Sequence, residues 1–345
     1  MNHRITWIED GRTFEARHDE SLLDAAVRAG VPLPSECSFG ACGTCRIRLV
    51  SGAVRYDEPP PGLSDDEAAN GYALACQARA TSDLTVSTNR PLPSPTETMR
   101  RRLAVVDVAR LCDDVHALTL DLRADEGVVF RPGQYLRVDL GEAGTRSFSM
   151  ANRPGEGTLV LHIRRITGGH FTESLLPGLR AGDYLDCDLP VGDFGYHEED
   201  YRPIVMIATG TGIAPLWSML DALLPDLDRP PIALFWGGRT RDDLYLHDEL
   251  TALQQQHPDF TYTPVLSRAD ATWHGARGYV QHAVVAAYPD LSEFSVYACG
   301  SPVMIGDAKR EFAACGMSPR YFYADSFSFQ HAAPVANASP VVQGA

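Results

Sequence analysis

Positive charge is in short supply in this chain. The 30 lysines and arginines face 45 aspartates and glutamates, a formal charge of -15. That balance argues against nucleic acid or an anionic membrane as the main partner, and mildly favours a basic protein. Long apolar runs are missing too. No stretch approaches the roughly 18 uninterrupted apolar residues of a membrane span. The opening MNHRITWIEDGRTFEARHDE is mixed and polar, unlike an arginine-flanked apolar leader. The expected location is the cytoplasm, where reducing conditions argue against pairing the 8 cysteines as disulfides. What is present is 345 residues, 44% of them apolar. That length exceeds what one hydrophobic core usually serves, so two or three domains are expected.

Residues 1–90 read as one domain. RITWIEDGRTFEARH suggests two strands around an Asp-Gly turn. In DESLLDAAVRAG, Ser21 and Asp24 make a helix-capping box. Leu22, Ala26 and Val27 supply an apolar stripe, and Gly30 sits where a terminating glycine belongs. RIRLVSGAV and LTVST add strands. NRPLPSPTETMRR is proline-rich and polar, so 91–100 is expected to be a linker. Residues 101–200 run strand after strand, broken by Gly, Pro and Asp, as in a small antiparallel barrel. From 201 to 329 the pattern becomes strand–helix alternation. IVMIATG precedes a helix in which Leu216, Met219, Leu220 and Leu223 recur, and PIALFWG, YTPVLS and SVYACG look like further strands of a parallel sheet. Residues 330–345 lack any periodic pattern and read as a disordered tail.

Chemistry concentrates first in ECSFGACGTCR. Cys37, Cys42 and Cys45 are spaced C-x4-C-x2-C, and Cys76 follows at a distance. One tight loop can present three thiolates while a remote segment closes the site. Gly40 and Gly43 let backbone amides turn toward the sulfurs. This is the plant-type spacing for a [2Fe–2S] cluster. A zinc ion would use the same thiolates, but zinc sites more often have two paired ligand turns, and only Cys42/Cys45 is such a pair. Cys112, Cys187 and Cys315 have no partner at ligand spacing and read as small buried hydrophobes.

Two further blocks carry ligand signals. In RSFSMAN, Arg146 can grip a pyrophosphate while the backbone and Ser149 bond to a ring edge, and for Arg146 taken alone a plain surface charge stays open as an alternative. HIRRITGGHFTESL, with His162, Ile163, Arg164, Gly168 and Gly169, ends a strand in a turn and starts a helix near Thr172, a plausible anion site. ATGTGIAP lies between strand and helix. Gly210 and Gly212 permit close approach of a phosphate, Thr211 stands between them, and Pro215 fits a first helical turn. This differs from the common G-x-G-x-x-G, and a plain strand–helix turn stays open as an alternative. FWGGRTRDDL, with Arg239, follows the next strand where an adenosine ribose is commonly read, and YACGSPVM puts Cys299 and Gly300 at a strand end before a helix carrying Met304.

Taken together, these blocks resemble the reductase components of bacterial multicomponent oxygenases, in which a plant-type ferredoxin precedes a ferredoxin–NADP reductase-like module. The resemblance covers roughly 1–328. It implies a multidomain α+β and α/β protein: a ferredoxin β-grasp domain, an antiparallel FAD-binding β-barrel and an open parallel-sheet nucleotide-binding domain. It implies Cys37, Cys42, Cys45 and Cys76 as cluster ligands, with Arg146, Ser147, Phe148, Ser149, Gly168, Gly169 and Thr172 around FAD. Arg146 and Thr172 would lie at the pyrophosphate, Ser149 near flavin N5 and Phe327 beside the isoalloxazine. GTGIAP and CGSPVM would bind the nicotinamide dinucleotide, with Cys299 near its C4. Two positions depart from the family pattern: Phe148 replaces a tyrosine, and Leu189 replaces a turn glycine. The implied activity passes electrons from NADH through FAD and the cluster to a terminal oxygenase or an intermediate iron–sulfur protein. Three alternatives stay open: a free-flavin reductase, the donor to an iron–sulfur sugar dehydrase, and a non-enzymatic electron-transfer module. NADH is expected over NADPH because Asp242 and Asp243 oppose Arg239 and Arg241. SFGACGT is expected to be exposed, with Glu36 and an acidic run at 56–67 around it suited to docking a basic partner.

Overall fold

The computed structural model describes residues 2–88, 97–123 and 127–327. The expected tail at 330–345 and residues 91–96 of the expected linker lie outside the described residues. Met99 and Arg100, also expected in the linker, already open the strand Met99–Arg110. Among the described residues no helix is long and apolar enough to cross a membrane.

The first unit is a mixed five-stranded sheet, ordered Thr13–Ala16, His3–Trp7, Leu84–Ser87, Arg46–Ser51, Tyr72–Leu74. His3–Trp7 and Leu84–Ser87 run parallel, so the two ends of the unit lie side by side in the sheet. Alternation along the first two strands sends Ile5, Trp7, Phe14 and Ala16 into one core. The helix Leu22–Arg28 packs on that core. The Ser21 side chain accepts from the Asp24 amide at 3.0 Å, and Gly30 follows the helix at φ 67°. The buried arc is Leu22, Leu23, Ala25 and Ala26. Val27, expected in the stripe, is 69% exposed. It stands roughly 140° round the helix from Leu22, past the edge of that arc.

The second unit is a six-stranded antiparallel sheet, ordered Thr145–Ser149, Tyr135–Asp139, Tyr184–Val191, Met99–Arg110, Val115–Asp121, Thr158–Arg164. A Met150–Leu161 bridge joins its two edges and closes a barrel around Leu103, Leu118, Leu136, Met150 and Leu161. Leu189, at the position where a turn glycine would be expected, is fully buried in this core, and its strand continues to Val191. Cys187 is buried beside it, whereas Cys112 and Cys315 are only partly buried, unlike the expected core cysteines.

The third unit is an all-parallel sheet, ordered Ala276–Arg277, Phe260–Leu266, Ile232–Gly238, Ile204–Thr209, Ser295–Gly300, Phe322–Ser326. Ile204–Thr209 is buried along almost its whole length, as a central strand covered on both faces must be. The chain builds outward from it to one side, then returns to build the other. That reversal leaves a crevice at the carboxyl ends of Ile204–Thr209 and Ser295–Gly300, the topological switch point where ligands bind in such sheets.

Candidate functional site

The four cysteines come together as two pairs. Cys45 Sγ lies 3.1 Å from Cys76 Sγ. Cys37 Sγ accepts from the amides of Ala41 and Cys42 at 3.4 Å each, and Cys42 Sγ accepts from the Thr44 amide at 3.5 Å. Gly40 and Gly43 make this possible. Both sit at left-handed φ, 80° and 83°, which turns consecutive amides inward. Hydrogen bonding from Cys42 draws the Cys37 thiol down to about 5, while Cys42 and Cys45 are pushed well up by their paired sulfurs and by burial. Thiols crowded this way are better served by a bound cation than by shared protons. Among the described residues no three His, Cys, Asp or Glu side chains converge as a single metal ion would need. Two pairs of thiolates with amides aimed at sulfur instead fit a cluster of two irons, each taking two thiolates.

The loop is not the exposed feature its polarity suggests. Gly40, Ala41 and Cys42 are buried, and Ser38 is its exposed residue. The cause is packing against the other two units. Thr44 Oγ1 donates to Ala324 O at 2.9 Å and Arg46 Nη2 to Pro319 O at 2.6 Å. One oxygen of Glu36 accepts from the amides of Asp193 and Phe194, at the end of the barrel.

Against this loop opens a cavity of about 430 Å³ lined by all three units. Of the residues singled out above, Arg146, Ser147, Phe148, Ser149, His162, Arg164, Gly169, Thr172, Thr211 and Phe327 line it. Cys37, Ser38 and Phe39 form part of the same wall. Phe148 and Phe171 meet at 5.1 Å between centroids, giving one side an aromatic surface. Arg164 Nη1 is 3.3 Å from Asp114, but its Nε and Nη2 are buried without a hydrogen-bond partner. A Cβ at Gly210 would lie 3.4 Å from that Nη2, so the unsatisfied guanidinium faces the glycine turn. Orphaned cationic donors beside a glycine turn suit a phosphate.

Other expected residues stand behind the wall. Ile163 is fully buried in the barrel core and Met304 is buried in the nucleotide unit, so their side chains pack rather than face the cavity. Gly168, at φ 75°, shapes the turn and donates its amide to Glu173 Oε2 at 2.8 Å, with open space where a side chain would stand. Thr172 Oγ1 is spent on Ile166, accepting from its amide at 3.0 Å and donating to its carbonyl at 3.2 Å. The expected helix near Thr172 is a six-residue π-type turn, His170–Leu175. Pro215 is buried within the helix Ile213–Leu223. Gly212 abuts the Cys299 carbonyl and Gly300 abuts Thr209, both too closely for a side chain. Arg239 does not itself line the cavity; it stands 3.3 Å from Asp243 and 3.7 Å from Asp114, the two carboxylates that also face Arg164 in the wall.

Cys299 is fully buried, its sulfur 4.0 Å from Asp325. Asp325 lines the cavity, and burial, with the Cys37 charge, pushes its carboxyl up to about 7. Sequence reasoning missed Asp325, Tyr135 and Arg137 in the wall, and Glu36, expected as a surface charge for docking, is turned into the same wall by its bonds to the Asp193 and Phe194 amides. The signal available for Asp325 was its place two residues before Phe327 on the last strand.

With this geometry in place, comparison with known proteins is informative. Residues 5–81 match the 2Fe-2S iron-sulfur cluster binding domain, 102–196 the oxidoreductase FAD-binding domain and 206–310 the oxidoreductase NAD-binding domain. The chain is 33% identical over 329 residues to a CDP-6-deoxy-L-threo-D-glycero-4-hexulose-3-dehydrase reductase of Yersinia pestis, covering 95% of this chain and 99% of that protein. The chain belongs to the iron–sulfur flavoprotein reductase family. It is also 35% identical over 327 residues to the reductase subunit of an aromatic O-demethylase from Amycolatopsis, covering 92% and 97%. The crystal structure of an Amycolatopsis cytochrome P450 reductase matches with a TM-score of 0.69 at 33% identity, covering 94% of this chain and 98% of that one. The member described here is an oxidoreductase with a [2Fe–2S] domain, an FAD domain and an NAD domain. Its three units share one cavity.

Proposed function

We propose that this reductase takes electrons from NADH and delivers them, through FAD and then [2Fe–2S], to the terminal component of an oxygenase. One observation carries the order of transfer: Cys37, Ser38 and Phe39 line the same cavity as Arg146, Phe148 and Ser149. Bound flavin supplies the conversion between a two-electron donor and a one-electron acceptor. The residues supply placement. Cys37, Cys42, Cys45 and Cys76 hold the irons. Arg146 and Arg164 would neutralise phosphates, Ser149 and Asp325 would serve the polar edge of a bound ring, and Phe327 would offer it an aromatic face. Gly210 would leave room for a dinucleotide phosphate beside Arg164, Gly212 and Gly300 let the strand ends pack closely behind it, and Cys299 would stand behind the nicotinamide. Anaerobic addition of NADH to the purified protein is expected to bleach both flavin and cluster absorption. Bleaching of the flavin alone would overturn the order.

NADH is preferred over NADPH in this reading. Arg239 is engaged by Asp243 and Asp114, and Arg241 Nη2 lies 2.7 Å from Asp248. A 2′-phosphate would have to displace carboxylates from both arginines. The ratio of kcat/KM for the two coenzymes measures this, and a preference for NADPH would reverse it.

The partner surface is narrower than the acidic run suggests. Asp57, Glu58, Asp65 and Asp66 are exposed. Glu67 instead caps the helix Asp65–Ala69 and pairs with Arg46 at 2.9 Å. A basic partner would therefore meet Asp65, Asp66 and Glu58 on the outer surface of the first unit. A second reading, donation to a sugar dehydrase, is favoured by the likeness to the Yersinia pestis reductase. Reoxidation of the reduced protein by an oxygenase component but not by an iron–sulfur dehydrase separates the two.

A further inference from the structure

Lys309 lies on the helix Pro302–Ala314 of the nucleotide unit, yet its ammonium enters the cysteine loop of the first unit. Its Nζ donates to Gly62 O at 3.3 Å and stands 5.7 Å from the centroid of the Phe322 ring. Gly62 in turn donates its amide to Gly40 O at 2.7 Å, so the lysine fastens to the segment that covers the loop. Gly43, between Cys42 and Cys45, leaves the space for the ammonium. A Cβ there would collide with Lys309 Nζ.

We propose that Lys309 is a positioning charge for electron acceptance: its ammonium, supplied by the nucleotide unit, raises the reduction potential of the cluster held by the first unit. The proposal rests on the assignment of Cys37, Cys42, Cys45 and Cys76 as cluster ligands. Reduction adds one electron, and therefore one negative charge, to a centre that already carries four thiolates. A cation a few ångströms away in a partly dry interface favours the more negative state, and net charge is one of the quantities that sets such potentials.

The charges facing this ammonium are Arg46, Glu67, Cys42 and Cys45. Arg46 Nη1 and Glu67 Oε1 are 2.9 Å apart and largely offset one another. Lys309 is left as the uncompensated cation against the thiolates. Desolvation and Arg46 oppose its charge, whereas Cys42, Glu67 and Cys45 favour it. A cluster that grows more negative on reduction strengthens the second group.

The consequence is directional. The cation stands beside the Gly43 side of the loop, while Cys37 faces the flavin cavity. The field of the nucleotide unit therefore draws an electron out of the cavity and onto the iron. It acts only while the first unit is seated on the nucleotide unit, as it is here through Thr44 and Arg46.

The test is a redox titration of the full, cofactor-loaded protein, followed by the electron paramagnetic resonance signal of the reduced cluster. Lys309→Gln is one bond shorter but retains an N–H donor and removes the charge. Its cluster potential is expected to fall, with the reduced-cluster to reduced-flavin ratio at limiting NADH dropping by roughly tenfold. Lys309→Arg is expected to restore most of that ratio. Glu67→Gln, which removes the compensating carboxylate, is expected to move the potential the opposite way. Iron, sulfide and FAD contents, measured on every variant, should match the parent. Unchanged potentials in Lys309→Gln and Glu67→Gln would overturn the proposal, as would an equal fall in Lys309→Arg. Failure of the ligand assignment would look different: the unaltered protein would lack iron and any cluster signal.

Discussion

Cys37, Cys42 and Cys45 belong to one short loop whose own amides bond the sulfurs of Cys37 and Cys42, and only Cys76 arrives from elsewhere. The cavity beside it is assembled differently. Arg146, Thr172, Thr211 and Phe327 reach it from four segments in two units, and the cysteine loop of a third unit completes the wall. The loop is built for a metal, because crowded thiols and inward amides have no good use without one. The cavity is largely preformed by packing, with Phe171 and Ser149 buried and Arg164 held in place by Asp114. The lesson is that one electron path joins a centre organised by its cofactor to a pocket organised by the fold. Removing a ligand should ruin the first and leave the second standing.

The sharpest way to break this contrast is Cys42→Ser. The cluster signal is expected to vanish, while NADH-driven reduction of ferricyanide continues, since that acceptor can draw from flavin directly. Iron analysis and ferricyanide assays check it. Loss of ferricyanide activity with FAD still bound would show that the pocket depends on the cluster after all.

Arg146→Ala probes the pocket with a smaller effect. Losing a charged contact to a phosphate costs about 2 kcal/mol, or roughly 30-fold in FAD affinity. Flavin fluorescence measures the change, and iron content should stay at the parental level. Equal FAD affinity would move the phosphate grip to Arg164.

The pocket should also carry a pH signature of its own. Burial draws His162 down to about 4, against an ordinary value of 6.5. Between those values the unfolded chain binds more protons than the folded one, so stability falls as pH falls from 6.5 toward 4. From pH 7 to pH 5 the loss from this residue is about 2 kcal/mol. Denaturant unfolding of His162→Gln beside the parent, at both pH values, should show a flatter dependence in the variant. Parallel curves would mean that the imidazole gains its proton without cost.

The smallest effect concerns the outer surface of the first unit. Neutralising Asp65 and Asp66 together should slow association with a basic partner about threefold at low salt and hardly at all at high salt. Glu67 is left intact because it holds the cap and Arg46. Stopped-flow reoxidation across an ionic-strength series reads this out, and a flat response would remove the acidic docking patch.

Much of the architecture was legible because it depends on short-range patterns. Alternation marked Ile5, Trp7 and Phe14, the Ser21 cap marked a helix start, and an unbroken apolar run marked the central strand Ile204–Thr209. The misreadings had local causes. Val27 looked apolar enough for the core but lay round the edge of its helix, and the helix expected to start near Thr172 is only a six-residue π-type turn.

By itself the sequence determined the ligand chemistry and the three kinds of unit. Thiol spacing, strand alternation and glycine turns are properties of neighbouring residues, and the chain cannot express them otherwise. Only the tertiary structure decided that the cysteine loop is covered, that Asp325 and Glu36 stand in the cavity wall, and that Lys309 reaches Gly62 from another unit. Those facts join residues remote in the chain, and such contacts follow from which faces the packed units turn toward each other, which no local pattern encodes.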